Sequence, residues 1–459
     1  MGRTIICEES NQAFINDIYN EKNAQTGLLI GQLTPQRDYV VLMVATPIEN
    51  EPEEEEDNES DGVKTRSKAS RKSATLDSIS ESWVTYHAKQ VVRMMPGGLD
   101  VIGLYAAANT KELEKCTSKL RQLVFAVHKT LSKSQLTPKP DEAITDRILL
   151  QICTLSRKLT CKSIDVGDNQ SVLRPAEWKF QTAVDKWSIL RTKLALDYPI
   201  YIPKQEADMS KKLQTSLKSI RKLVWSSLGT ITGNIRDDSE VLQVSQEGPK
   251  KTRSGKGYSQ DMQQKFAVEL FLTPVGDCES EEDEEGKAVE IGTNITIRGT
   301  IQGEAFIHGK ATVKEGLQAL KCDVFRSLQA RCSLMCEDQQ ASGDGPNDGS
   351  RLQTPRRVFA KLPEKKITLC DYMFGDEEVS DVLDRFQEVL GITLEEKDMI
   401  LDRENIPSEE EMNAAEEEGA TTVSVQKTSG LPGGAMIGAV VTGAVSALAA
   451  AFSYMYLQE

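Results

Sequence analysis

The chain has 459 residues, 39% hydrophobic and 27% charged, with 70 Asp and Glu against 55 Lys and Arg and a formal net charge of -15. At roughly 150 residues per domain the length would hold about three domains, and long polar stretches reduce the expectation to two. The acidic balance argues against nucleic acid as a partner, because phosphate contacts need a basic face. Nine cysteines without a CxxC or a regular spacing indicate neither a disulfide framework nor a zinc knuckle, and read as small buried hydrophobes in a reducing compartment.

Met1 to Glu9 lacks a basic n-region and an apolar h-region, so no secretory signal is expected; Ile6 stands where myristoylation would need Ser or Thr. A short strand at Thr4–Cys7 and a helix near Asn11–Tyr19 open the fold. Two strands follow, Gly27–Gly31 and Tyr39–Pro47, across a polar turn at Gln36-Arg37-Asp38. Residues 49–76 turn acidic, then basic and Ser-rich, and read as a disordered insertion. A polar helix leads to Met95, Pro96-Gly97-Gly98 makes a turn, and Asp100–Ala108 is a buried strand.

The helix from Thr110 carries an apolar stripe at Leu113, Leu120, Leu123, Val124, Val127 and Leu131. Ile148–Leu155 and Thr160–Val166 form a hairpin, a strand-like stretch covers Phe180–Leu196, and Ser210–Leu228 is helical. After a polar, basic linker come a strand at Phe266–Leu272, an acidic loop at Glu279–Glu285, and a pair or meander of strands over Val289–Ile307, punctuated by Gly299 and Gly303. Thr312 and Glu315 make a capping box for a long helix with its stripe at Val313, Leu317, Leu320, Val324, Leu328 and Met335. Strands at Arg357–Leu362 and Ile367–Met373 precede a helix with Val379, Leu383, Phe386 and Leu390, closed by Gly391 at C′.

The uncharged span 435–457 reaches roughly 35 Å as a helix, enough for a hydrocarbon core of ~30 Å. It is expected to anchor the chain in a membrane as a single C-terminal transmembrane helix, with the preceding body cytosolic. Gly434, Gly438, Thr442, Ser446 and Ala450 recur every four residues, a spacing that suits helix packing.

Catalytic chemistry is hard to find. His87, His128 and His308 lie in separate elements and in no HxH, HExxH or Cys/His spacing. The acidic runs lack calcium-loop spacing, and Gly97-Gly98 precedes a strand rather than the helix a phosphate cradle needs.

Residues 96–108, PGGLDVIGLYAAA, resemble the core strand of the JAB/MPN metalloprotease fold. In zinc-binding members this strand leads into a His-x-His-Pro, with a Ser and an Asp beyond it. Here the resemblance places the histidines on Ala106 and Ala108, the proline on Asn109, the Ser on Cys116, the Asp on Lys119, and the general-base Glu on Ala24. It therefore implies an inactive MPN-like domain with no catalytic, metal or cofactor residues. The segments MGRT at 1–4, GLLIGQ at 27–32, DYV at 38–40, MPGGL at 95–99, RPAEWK at 174–179 and LCDY at 369–372 together resemble the odorant response abnormal protein four family. That resemblance implies an endoplasmic reticulum protein engaged in folding or trafficking of seven-helix receptors and in recruiting the UFM-one-specific protease. An adaptor is the leading expectation; a trafficking factor touching receptors directly is the other.

The expected fold class is α/β (α+β). An inactive MPN-like domain spans 1–205 with its insertion at 49–76, followed by a helical extension at 206–240 and a linker at 241–262. A smaller α+β domain at 263–402, a tether at 403–434 and the transmembrane helix at 435–457 complete the chain.

Overall fold

The computed structural model describes residues 2–49, 75–134, 144–181, 187–203, 209–243, 263–272, 291–342, 354–362 and 365–404. The expected membrane span and the acidic loop at 279–285 lie outside these. No helix among the described residues is long and apolar enough to cross a membrane. Residues 1–406 form one compact unit.

The first strands are β1 (Thr4–Glu8), β2 (Gln25–Gln32) and β3 (Asp38–Ala45), with α1 (Asn11–Glu21) between β1 and β2. Then come α2 (Glu81–Arg93), β4 (Asp100–Ala108), α3 (Thr110–Lys115), α4 (Thr117–Lys133), β5 (Asp146–Cys153) and β6 (Leu159–Asp165). The single helix expected from Thr110 is split at Cys116, which ends α3 and caps α4. Its apolar stripe nonetheless falls where the spacing puts it: Leu113 and Leu120, Leu123, Val124, Val127 and Leu131 are all buried. Leu76, assigned to the insertion, is fully buried, and its N–H donates to Glu112 Oε1 at 2.7 Å.

These strands form a mixed sheet in the order β6-β5-β4-β2-β3-β1, and one chain segment joins its two edges. β7 (Arg174–Pro175) pairs with β6, and β8 (Glu177–Gln181) pairs with β1. Ala176 N–H donates to Cys161 O on one edge at 3.0 Å, and Glu177 N–H donates to Arg3 O on the other at 2.9 Å. Joining the edges in this way leaves fewer unpaired backbone groups. Asp38, read as part of a polar turn, is instead buried at the start of β3. It accepts from Arg3 Nε at 2.7 Å, so the first and third short motifs meet.

β9 (Ser188–Pro203), α5 (Met209–Ser226), β10 (Leu228–Ile231), β11 (Lys265–Phe271) and β12 (Ile291–Ile307) build a second sheet in the order β10-β11-β9-β12. The expected meander over Val289–Ile307 is instead one long strand, β12, paired antiparallel along the whole of β9. Gly303 does not mark a turn. A Cβ there would lie 2.7 Å from Thr192 Cγ2 and 2.9 Å from Val324 Cγ2, so the glycine lets the next helix approach the strand. That helix is α6 (Val313–Ser342), opened by the capping box: Glu315 N–H donates to Thr312 Oγ1 at 3.2 Å and Thr312 N–H to Glu315 Oε2 at 2.7 Å. Last come β13 (Arg356–Lys361), β14 (Thr368–Met373), α7 (Val379–Leu390) and β15 (Met399–Ile400), a three-stranded sheet ordered β14-β13-β15 with a helix beside it. Gly391 follows α7 at φ 67°, as the C′ reading required.

The composition break at 206–262 is not a break in packing. One buried cluster contains Leu28, Val91, Leu104 and Leu123 from the first part and Phe306, Val358, Leu369 and Phe386 from the last. Arg403 and Glu404, assigned to the tether, are also fastened in the body. Glu404 accepts from Arg331 at 2.6 Å, Gln302 N–H at 2.7 Å and Arg357 N–H at 2.8 Å.

Candidate functional site

The MPN-equivalent positions converge at one end of β4. Alternation along the strand turns Ala106 and Ala108 to the same face, where both are buried in the cluster that also holds Cys116; Ala24 is half-buried against it. The pairing Gln25↔Ala107 puts Ala24 beside Ala108 on the neighbouring strand. Lys119 stands apart: its Nζ donates to Asp77 O at 2.5 Å. Four of the five site positions that the resemblance assigned thus lie together, without the chemistry of a zinc site. Alanine methyl groups offer no ligand atoms, burial pushes the Cys116 thiol up, and an ammonium group repels a cation. These residues do not fit zinc. Among the described residues no group of three or more His, Cys, Asp or Glu side chains is placed to hold a metal ion.

A thiol that the sequence did not single out lies at the same end. Cys153 pairs with Ala108 across the sheet. Burial pushes its thiol up, but the side chains of Ser156 and Thr110 and the Ser156 and Leu155 amides outweigh this and hold it at about 7. Thr110 Oγ1 is 3.1 Å from Sγ and Ser156 N is 3.4 Å away. Neither partner is a histidine or a carboxylate, so no base is positioned on this sulfur.

The three histidines do not meet. His87 is buried in α2 with Nε2 2.8 Å from Val389 O, and desolvation holds its pKa below the ordinary value. His128, on α4, has Nδ1 3.4 Å from an Arg147 nitrogen. His308 stacks on Tyr39 with ring centroids 5.8 Å apart and lines a cavity of about 240 Å³ with Asp100, Arg147, Glu315 and Arg326. The two acids and two bases there balance. Cys322, also lining it, is pushed up to about 12 by burial and stays protonated at neutral pH.

The glycine turn at 96–98 is a clasp rather than a ligand loop. Gly97 N–H donates to Glu304 O and Phe306 N–H to Gly97 O, each at 2.9 Å. Gly98 has φ 78°, and a Cβ on it would fall 1.9 Å from Phe306 O. Gln32 Nε2 donates to Gly98 O at 2.9 Å, and Arg326 donates to Leu99 O at 3.0 Å. The motif thus stitches the first sheet to β12 and α6.

The LCDY segment lies in β14, within a buried ionic array. Cys370 Sγ is 3.0 Å from Arg357, Asp371 accepts from Arg385 at 2.7 Å, and the Tyr372 ring lies 5.6 Å from the Arg331 guanidinium. Glu304 joins Arg191 at 2.5 Å and Arg403 at 2.8 Å and accepts from Thr368. Desolvation raises the Glu304 pKa, but Arg403, Thr368 and Arg191 together hold it below the usual carboxylate range.

The outer surfaces of the two long helices flanking β4 differ. α4 presents Ser118, Gln122, Lys129 and Lys133, all exposed and polar. On α2, Trp83 and Tyr86 stack with centroids 6.0 Å apart and an interplanar angle of 25°. Tyr86 is 53% exposed, and Trp83 Nε1 donates to Pro47 O at 2.8 Å, beside Ile48, which is 77% exposed. The apolar cluster on α2 is the kind of surface that anchors protein interfaces.

Fold and surface together define a mixed α/β body with one large mixed sheet and an aromatic patch on α2. The chain belongs to the odorant response abnormal 4-like family, which it matches over residues 27–401. It is 30% identical to the protein odr-4 homolog of Mus musculus and 32% identical to that of Gallus gallus, over 100% of both chains in each case. It is 24% identical to odorant response abnormal protein 4 of Caenorhabditis elegans, over 68% of this chain and 64% of the relative. Among solved structures it is similar to UfSP from C. elegans, with a TM-score of 0.39, 8% identity, and coverage of 85% of this chain and 57% of that one. That likeness is too distant to bear on fold or function.

Proposed function

We propose that the chain is a non-catalytic, tail-anchored adaptor of the endoplasmic reticulum membrane. It recruits the UFM-one-specific protease through its N-terminal body and thereby supports folding or trafficking of seven-helix receptors. Family membership and the membrane-length apolar span at 435–457 support this reading. The observation that carries it is the contrast at β4: alanines fill the ligand positions that the MPN resemblance assigns, while the adjacent α2 displays a stacked aromatic pair with Tyr86 exposed.

A stable interface buries roughly 1,200 Å² or more, so one charge placed at its centre weakens it without disturbing the fold. Tyr86→Glu in the full chain is expected to reduce co-purification of the protease at least about tenfold, as for an interface anchor, with an unchanged melting temperature. Gln122→Glu on α4 is expected to leave it intact. Loss of pairing on α4 alone would move the docking helix. Recruitment untouched by either change would refute the N-terminal body as the adaptor.

A further inference from the structure

The helix α5 is an amphipathic element with a charge opposite to that of the protein. Met209–Ser226 contains Lys211, Lys212, Lys218, Arg221 and Lys222 and no Asp or Glu, in a chain whose formal net charge is -15. At ~100° per residue, Lys211, Lys218 and Lys222 fall within about 40° of one another. All three are exposed. Leu213, Leu217, Ile220 and Val224 occupy the opposite face and are buried against α6 and the β9–β12 ribbon. The lysine stripe is about 16 Å long at ~1.5 Å per residue. Trp225 is half-buried near the C-terminal end of the helix, its ring 5.8 Å from the Arg221 guanidinium.

The basic helix α4 is also free of acidic residues, and leaves Lys129 and Lys133 exposed near its C-terminal end, but Lys119 and Arg121 in its first half are used internally. Lys119 donates to Asp77 O, and Arg121 donates to Asn169 O and Ser171 O. The α5 stripe is exposed along its length and extends over about three helical turns.

We infer that the outer face of α5 docks on an anionic membrane surface and sets the orientation of the body beneath the bilayer. This rests on the tail-anchor reading. Thirty residues, 405–434, lie between Glu404 and the apolar span, and no chain of that length can reach beyond roughly 100 Å. The anchor therefore fixes proximity but not which face is presented. Proximity is what a short lysine stripe needs, because its attraction to anionic headgroups falls off within a Debye length of ~8 Å. The tether carries Glu409, Glu410, Glu411, Glu416, Glu417 and Glu418. Like charge repels these from such a surface, whereas the α5 stripe has the complementary sign.

The test uses the full chain reconstituted into neutral phosphatidylcholine vesicles, into vesicles with about 30% phosphatidylserine, or held in detergent. Amine labelling at Lys218 and Lys222 is read by mass spectrometry against Lys158, an exposed lysine after β5. Labelling is expected to fall about fivefold on anionic vesicles only, and to recover at about 0.5 M salt as screening shortens the Debye length. Equal labelling on both vesicle types overturns the proposal. So does protection already present in detergent, which would mean that protein covers the face. A chain that leaves neutral vesicles yet stays on anionic ones with the same protection refutes the anchor while upholding the α5 contact; a chain that binds neither overturns both.

Discussion

Arg357 and Asp323 form a bidentate ion pair with N···O distances of 2.7 and 2.8 Å, and neither side chain is exposed to solvent. The pair joins β13 to α6. Its partners are completed by Glu304 N–H, which donates to Asp323 at 2.8 Å, and by Gln302 O, which accepts from Arg357 at 3.3 Å. Removing one partner strands a buried charge. Asp323→Ala is expected to cost about 3–5 kcal/mol in urea unfolding. The double change Asp323→Leu with Arg357→Met is expected to recover most of that loss. A double variant as unstable as the sum of the singles would mean that the array stabilises the fold by more than mutual neutralisation.

The clasp at Gly98 makes a second expectation. Gly98→Ala must place a methyl group against the Phe306 carbonyl at positive φ. The cost is expected to be at least about 2 kcal/mol, with cooperative unfolding preserved because the same core spans both sheets. A separate early unfolding transition of β12 and α6 would show that the clasp alone couples them.

The pH dependence of stability has a predictable sign at His87. Burial lowers its pKa, and the hydrogen bond to Val389 O only partly offsets that. The unfolded chain therefore takes up the proton first. The stabilising contribution is complete above about pH 6.5, the unperturbed value, and is lost as pH falls below it toward the depressed folded value. His87→Gln keeps a donor for Val389 and removes the titration. Denaturant midpoints of the variant are expected to decline less than those of the parent between about pH 7.5 and 5. Parallel profiles would assign the acid sensitivity to other groups.

Restoring the imidazoles of a zinc site is expected to fail. Ala106→His with Ala108→His puts two large polar rings into a packed core and leaves Lys119 in place. Overpacking of this kind costs about 1–3 kcal/mol per site, so the melting temperature is expected to fall without stoichiometric zinc uptake or isopeptide hydrolysis. One zinc per chain with activity would overturn the account of these positions.

Local features were readable from the sequence because their signals are local. The stripe of α4, the Thr312–Glu315 capping box and Gly391 all appear where spacing and residue type put them. Pairing between distant segments was not readable. Nothing near Gly299 or Gly303 says that β12 continues past them, since the reason is Val324 on α6 and Thr192 on β9. The joined sheet edges depend on Arg174–Gln181 meeting Thr4–Glu8, and the Arg3–Asp38 pair also links residues that composition alone leaves unrelated. The MPN-equivalent alanines were found through a motif, whereas the Cys153 environment arises from Thr110 and Ser156 meeting only in the fold. The aromatic surface of α2 is set by the fold, because spacing alone suits Trp83 and Tyr86 equally well to a core.

The adaptor account is tested most directly by where the protease resides. Cells lacking this chain would be supplied with the full chain, with the Tyr86→Glu variant, or with a chain ending at residue 434, and the UFM-one-specific protease measured in the membrane and soluble fractions. The account predicts that only the full chain places the protease on membranes. With the shortened chain the two proteins should still co-purify, but from the soluble fraction. Protease that stays on membranes without residues 435–457, or that never co-purifies with the full chain, would contradict it.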